Sequence, residues 1–68
     1  MKVTIQLNGE PFSIEEGIRL NALIDQLQMR PMRIAVELNH QVVPKAKYAD
    51  TILKQDDKVE IINFVGGG

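Results

Sequence analysis

The stretch Lys2-Val3-Thr4-Ile5-Gln6-Leu7-Asn8-Gly9-Glu10-Pro11-Phe12-Ser13-Ile14 sets the architecture of this chain. Val3, Ile5 and Leu7 alternate with Lys2, Thr4 and Gln6, the period of a strand with one buried face. Asn8-Gly9 interrupts the alternation, and Phe12 and Ile14 resume it. A two-residue hairpin turn needs positive φ at both positions, which Asn and Gly tolerate best, so the stretch reads as a β-hairpin. Pro11 has no N–H for a ladder, which places the second strand at a sheet edge.

Working outward, Leu20, Leu23, Ile24 and Leu27 recur at helical spacing, with Asn21, Asp25, Gln26 and Gln28 off the stripe. Pro31 is expected to stop this helix. Its start is poorly marked: Arg19 stands where a capping oxygen would serve, so the first turn frays or is capped from elsewhere. Glu15-Glu16 is read as an acidic pair favouring the helix N-terminus. Ile34, Val36 and Leu38 alternate as a third strand, and Asn39-His40 makes a tight turn into Gln41-Val42-Val43, which Pro44 ends. Residues 45–54 read as irregular or briefly helical, with Tyr48, Ile52 and Leu53 available to cover a core edge. Gln55-Asp56-Asp57 reads as a polar turn, and residues 58–65 as the last strand. Strand, strand, helix and three strands make an α+β roll: a mixed sheet of about five strands with one main helix across it. The first and last strands, both rich in Val and Ile, are expected to pair in its middle.

At 68 residues the chain holds one domain, and 44% hydrophobic residues suffice to fold it. A domain of this size buries only about 60% of its unfolded surface, so the core is thin. There is no cysteine to brace it. A net charge of −1 with mixed signs argues against nucleic acid. A single His and no Cys argue against a metal site. No apolar run approaches a membrane span and no signal-peptide pattern is present, so a cytoplasmic monomer is expected. No Ser-His-Asp set, phosphate loop or zinc spacing occurs, so the chain is not expected to be an enzyme. His40 reads as a solvated turn residue.

The chain ends Phe64-Val65-Gly66-Gly67-Gly68. This divides it into a domain over residues 1–65 and a flexible tail over 66–68. Glycines at an end cannot pack a side chain and lose much entropy on ordering. They suit threading into a narrow active site, and equally suit an ordinary linker. A terminal carboxylate has a pKa of about 3.5 and is ionised at neutral pH. It can attack the α-phosphate of ATP to give an acyl-adenylate open to a second nucleophile.

The segments Ala35-Val36-Glu37-Leu38-Asn39-His40-Gln41-Val42-Val43-Pro44 and Lys58-Val59-Glu60-Ile61-Ile62-Asn63-Phe64-Val65-Gly66-Gly67-Gly68 resemble the sulfur-carrier family of thiamine biosynthesis, the ThiS family. The resemblance runs over essentially the whole chain. It implies a ubiquitin-like β-grasp fold. It further implies that an ATP-dependent activating enzyme adenylates Gly68 and that the carboxylate becomes a thiocarboxylate. A cysteine desulfurase relay would supply the sulfur, and thiazole synthase would receive it. Gly66 and Gly67 would be recognised within the tail. No cofactor would be bound by the chain itself, ATP being used by the partner. The chain departs from the family at Arg19, where Thr or Ser is usual, at His40, where Gly is usual, and at Gln55-Asp56-Asp57, where Asp-Gly-Asp is usual. These positions bear on turns and local stability, not on the tail.

Alternation in the last strand places Val59, Ile61 and Asn63 on one face and Glu60, Ile62 and Phe64 on the other. With Val59 and Ile61 under the helix, Ile62, Phe64 and Val65 form a candidate docking patch for the activating enzyme and the synthase in turn. The competing expectation is that residues 45–53 fold over them as a minor core. Other functions fit the same tail: a ubiquitin-like modifier joined to lysines, or the sulfur carrier of molybdopterin synthesis. A β-grasp binding module with an idle tail is a reading of another class.

Overall fold

The computed structural model describes residues 1–64. Strands β1 (Lys2–Leu7) and β2 (Glu10–Glu15) precede helix α1 (Leu20–Gln26), and a short 3-10 turn (Pro31–Arg33) leads into β3 (Ile34–Leu38). Then come β4 (Gln41–Val43), a 3-10 segment (Lys45–Asp50) and β5 (Lys58–Asn63). The five strands form one sheet in the order β2-β1-β5-β3-β4. β1 and β5 are parallel, and the other neighbours are antiparallel. The first and last strands therefore meet at the centre, as expected.

Both hairpins close on the residues that mark them. Leu7 pairs with Glu10 around Asn8 (φ 50°) and Gly9 (φ 84°). Leu38 pairs with Gln41 around Asn39 (φ 52°) and His40 (φ 71°). Positive φ at both turn residues gives the twist that suits flanking strands. Pro11 lies on β2, an edge strand, where its missing N–H breaks no central ladder.

One face of the sheet is buried against α1. Ile5, Ile14, Ile34, Val36, Val59 and Ile61 supply the sheet side, and Leu20, Leu23 and Ile24 the helix side. Tyr48 and Leu53 close one end, while Ile52 stays largely exposed and does not join them as expected. Each fully buried aliphatic side chain contributes roughly 1.5–3 kcal/mol, so a core of this size tolerates few losses.

The ends of α1 are held in ways the local sequence conceals. Arg19 makes no side-chain cap. Instead the Leu20 N–H donates to the Thr51 carbonyl (2.8 Å), and Arg19 forms an isolated antiparallel bridge with Ile52. The Leu53 N–H donates to the Ile18 carbonyl (3.0 Å), and the Arg19 guanidinium to the Ala49 carbonyl (3.1 Å). The cap thus comes from the chain beyond the second 3-10 segment.

Pro31 does not stop the helix. Gln28 turns left-handed (φ 59°); its N–H donates to the Asp25 carbonyl (2.9 Å), and the Met29 N–H to the Ile24 carbonyl (3.1 Å). This pair of bonds is a Schellman terminus, with Gln where Gly is commonest. Pro31 instead opens the following 3-10 turn. Glu15 and Glu16 do not serve the helix dipole either, since the first turn of α1 carries no acid. Glu15 ends β2 and pairs with Lys2 (3.3 Å) and the N-terminal amine (3.9 Å), both exposed. Such pairs contribute little.

Candidate functional site: the outer sheet face and the end of β5

Antiparallel register sets which residues share the face opposite the helix. Ala35 lies beside Ile62, and Glu37 lies beside both Glu60 and Val42. Within β5, Val59 and Ile61 are buried while Glu60 and Ile62 face outward, as alternation predicts. Ile62 is 52% exposed and Phe64 50% exposed. Val42, at 71%, extends the apolar surface outward on β4.

Residues 45–53 do not cover this patch. Tyr48 and Leu53 point into the main core, and the Thr51 carbonyl holds the start of α1. The segment is committed to the helix side of the sheet. Of the patch residues, Ile62 is open on the outward face of β5 and Phe64 is open just beyond the strand. Val65 and the tail residues Gly66, Gly67 and Gly68 lie outside the described residues.

The backbone still holds the chain beyond β5: the Phe64 N–H donates to the Arg33 carbonyl (2.8 Å). Beside this bond is an open cavity of about 380 Å³ lined by Gln28, Met29, Arg30, Arg33, Asn63 and Phe64. Sequence reading missed Arg30 and Arg33 here. Their signal was two cations flanking Pro31, but only the antiparallel register of β3 and β5 brings them to the end of the last strand.

At the opposite end of β5 the geometry is structural. The Asn39 amide oxygen accepts from the Lys58 N–H (2.9 Å), and its nitrogen donates to Asp57 Oδ1 (3.1 Å). Asp57 Oδ2 accepts from the Lys54 N–H (2.8 Å), closing the polar turn around Asp56 (φ 70°). His40 is exposed in its hairpin turn, near Gln6, Gly9, Lys58 and Glu60 around a shallow cavity. Among the described residues, no group of three or more His, Asp or Glu side chains could hold a metal ion. Also among them, no helix is long and apolar enough to cross a membrane.

A five-stranded mixed sheet gripping one helix, with its central strand running out toward a triglycine, is the geometry on which family kinship can be judged. The sequence model of the ThiS family matches residues 5–68, which includes that triglycine. This chain belongs to the ThiS family.

Three relatives illustrate the kinship. The sulfur carrier protein ThiS of Bacillus subtilis is 31% identical over 65 residues, spanning 94% of this chain and 98% of its own. The uncharacterized protein ycf40 of Porphyra purpurea is 42% identical over 66 residues, spanning 97% and 93%. The thiazole synthase of Magnetococcus marinus is 42% identical over 64 residues. That match takes in 94% of this chain but 20% of the synthase, so the chain corresponds to about a fifth of that longer protein. The crystal structure of the thiamine biosynthesis protein ThiS from Geobacter metallireducens superposes with a TM-score of 0.84 at 29% identity, covering 97% of this ThiS-family chain and 100% of that one. The fold is the ubiquitin-like β-grasp.

Proposed function

We propose that this chain is a sulfur carrier for thiazole formation in thiamine biosynthesis, with the Gly68 carboxylate as its reactive group. An ATP-dependent activating enzyme binds the tail, and the carboxylate attacks the α-phosphorus of ATP. Pyrophosphate leaves and a glycyl adenylate remains. A persulfide from a cysteine desulfurase relay attacks the acyl carbon and AMP departs, leaving an acyl disulfide. A second thiol of the partner attacks the sulfur of the relay in that bond, so the thiocarboxylate leaves and the two partner sulfurs end as a disulfide. Thiazole synthase then takes the sulfur. The chain binds no ATP itself and is a protein co-substrate.

The observation that carries this reading is that kinship to the family runs through Gly66, Gly67 and Gly68 rather than ending with the folded domain. Glycine suits the role because no Cβ obstructs threading of the tail into a partner. The exposed pair Ile62 and Phe64, with Val65 following, offers apolar surface beside the tail for the activating enzyme and the synthase in turn.

The test is an intact mass of the protein after incubation with host lysate, ATP and cysteine. The expected result is a gain equal to one oxygen exchanged for sulfur, absent when Gly68 is removed. New lysine-linked species of high mass would point to a protein modifier instead. An unchanged mass in a lysate that activates a known carrier would overturn the proposal.

A further inference from the structure

The backbone of β5 addresses its two neighbours alternately. Lys58 and Phe64 face β3: the Asn39 N–H donates to the Lys58 carbonyl (2.7 Å), and the Phe64 N–H to the Arg33 carbonyl (2.8 Å). Val59, Ile61 and Asn63, of opposite parity, face β1. The Val59 carbonyl accepts from the Asn8 N–H (2.9 Å), and the Ile61 N–H donates to the Asn8 side-chain oxygen (2.8 Å). There the pairing ends. The register of β1 with β5 covers only Gln6 with Lys58 and Leu7 with Val59, and the chain turns away at Asn8-Gly9. The Ile61 carbonyl and both backbone groups of Asn63 therefore face a side with no strand. Among the described residues, no backbone hydrogen bond reaches them.

This short edge lies in the middle of the sheet order, where an open edge is unusual. An unpaired row of N–H and C=O groups is a template for another strand. Asn63 borders the cavity that also holds Arg30 and Arg33, neither of which makes a salt bridge among the described residues. The edge thus offers main-chain hydrogen bonds, and its surroundings offer positive charge.

We infer that the free edge of β5 at Ile61 and Asn63 is a strand-addition site, taken by an extended, acid-bearing segment of thiazole synthase. This rests on the sulfur-carrier reading. The backbone groups call for a backbone partner. The two guanidiniums call for a carboxylate. The synthase is the partner with which this domain shares a chain in a relative. Docking there fixes the direction of the tail. Gly68 lies five positions beyond Asn63, so the reactive end reaches at most roughly 17 Å from the edge.

The experiment follows the Asn63 amide by hydrogen exchange, in the free chain and in the presence of saturating purified synthase. Exchange at Asn63 is expected to slow at least ~10-fold on binding, since a strand bond removes the amide from water. A second measurement uses Asn63→Pro, which deletes the outward donor at a position whose backbone makes no bond to β3. Synthase affinity is expected to fall roughly tenfold or more, equivalent to about 1.4 kcal/mol. The wild-type affinity should also weaken with added salt through the two arginines. An Asn63 amide that exchanges equally fast in the complex overturns the inference, whether or not the proline variant folds. If sulfur loading and synthase binding persist in that case, the carrier reading survives and only the docking mode fails. If the wild-type chain neither loads sulfur nor binds the synthase, both fail together.

Discussion

The side-chain oxygen of Asn8 accepts a 2.8 Å hydrogen bond from the Ile61 N–H, joining positions 53 residues apart. Asn8 is also the first turn residue of the β1–β2 hairpin, and its own N–H donates to the Val59 carbonyl. One residue thus reverses the chain locally and extends the contact of β1 with β5 beyond the last paired residues. Asparagine suits both tasks because it tolerates positive φ and carries an acceptor.

Replacing Asn8 separates those tasks. Asn8→Gly keeps the turn but removes the acceptor, and is expected to cost about 1 kcal/mol. In a domain of this length that lowers Tm by roughly 4–8 °C. Asn8→Asp retains an oxygen in place and should lose clearly less. Urea or thermal unfolding of the two variants checks the difference. Equal losses would mean that the bond to Ile61 contributes nothing beyond the turn.

Two side chains sit where glycine would be easier. Gln28 (φ 59°) ends α1 and His40 (φ 71°) completes the second hairpin turn, both exposed. Left-handed backbone costs residues with a Cβ roughly 1–2 kcal/mol, partly offset by the entropy that glycine loses on folding. Gln28→Gly and His40→Gly are each expected to stabilise by about 0.5–1 kcal/mol, and to do so additively because they lie in separate turns. Denaturant midpoints of the single and double variants test this. A loss of stability in His40→Gly would reveal a packing role for the imidazole.

Ile61 and Phe64 are three residues apart and answer to different constraints. Ile61 is buried in the core, whereas Phe64, just beyond the end of β5, is half exposed. Ile61→Ala is expected to cost about 2–5 kcal/mol, much of the total stability of so small a domain. Phe64→Ser should change stability by no more than about 0.5 kcal/mol while weakening the activating enzyme and synthase complexes. Calorimetry of unfolding and of binding separates the effects. A large stability loss in Phe64→Ser would place the ring in the fold rather than the docking surface.

Alkaline pH tests the closure of the core by the second 3-10 segment. Burial pushes the Tyr48 phenol above its ordinary value. The folded state thus resists losing this proton while the unfolded state releases it near pH ~10. Stability from this group is fully present below that pH and declines as pH rises toward the higher folded value. Tyr48→Phe should remove this part of the decline. Melting curves of both proteins between neutral pH and pH ~11 test the sign. Parallel declines would mean that Tyr48 ionises as freely folded as unfolded.

The hairpins and the five-strand order were legible because Asn-Gly, Asn-His and the alternating Val and Ile runs carry local physics. The ends of α1 were not. A glutamine in left-handed backbone has no sequence signature, so the stop at Gln28 was hidden behind the more conspicuous Pro31. The N-terminal cap comes from Thr51, thirty-one positions beyond the amide it accepts, and no local pattern announces it. Glu15 looked like a partner for the helix dipole because both readings put an acid before a helix; only the register opposite Lys2 decides between them. Alternation fixed which face Ile62 occupies. Whether residues 45–53 would cover that face depended on where Tyr48 packs, which is a tertiary fact. Arg30 and Arg33 were unremarkable surface cations until β3 and β5 were paired.

Glycine has no side chain to pack and loses much backbone entropy on ordering, so deleting Gly67 and Gly68 is expected to leave Tm unchanged within about 2 °C. In cells that depend on this protein, the truncated chain should fail to support growth without thiamine, and supplied thiazole should restore it. The pairing of an intact fold with a specific nutritional defect is the discriminating point. A β-grasp module acting through its surface alone would tolerate the deletion, since Ile62, Phe64 and the free edge of β5 remain. A molybdopterin-type carrier would show a different requirement, unaffected by thiazole. Growth without thiamine by cells carrying only the truncated chain would therefore remove the Gly68 carboxylate from the mechanism.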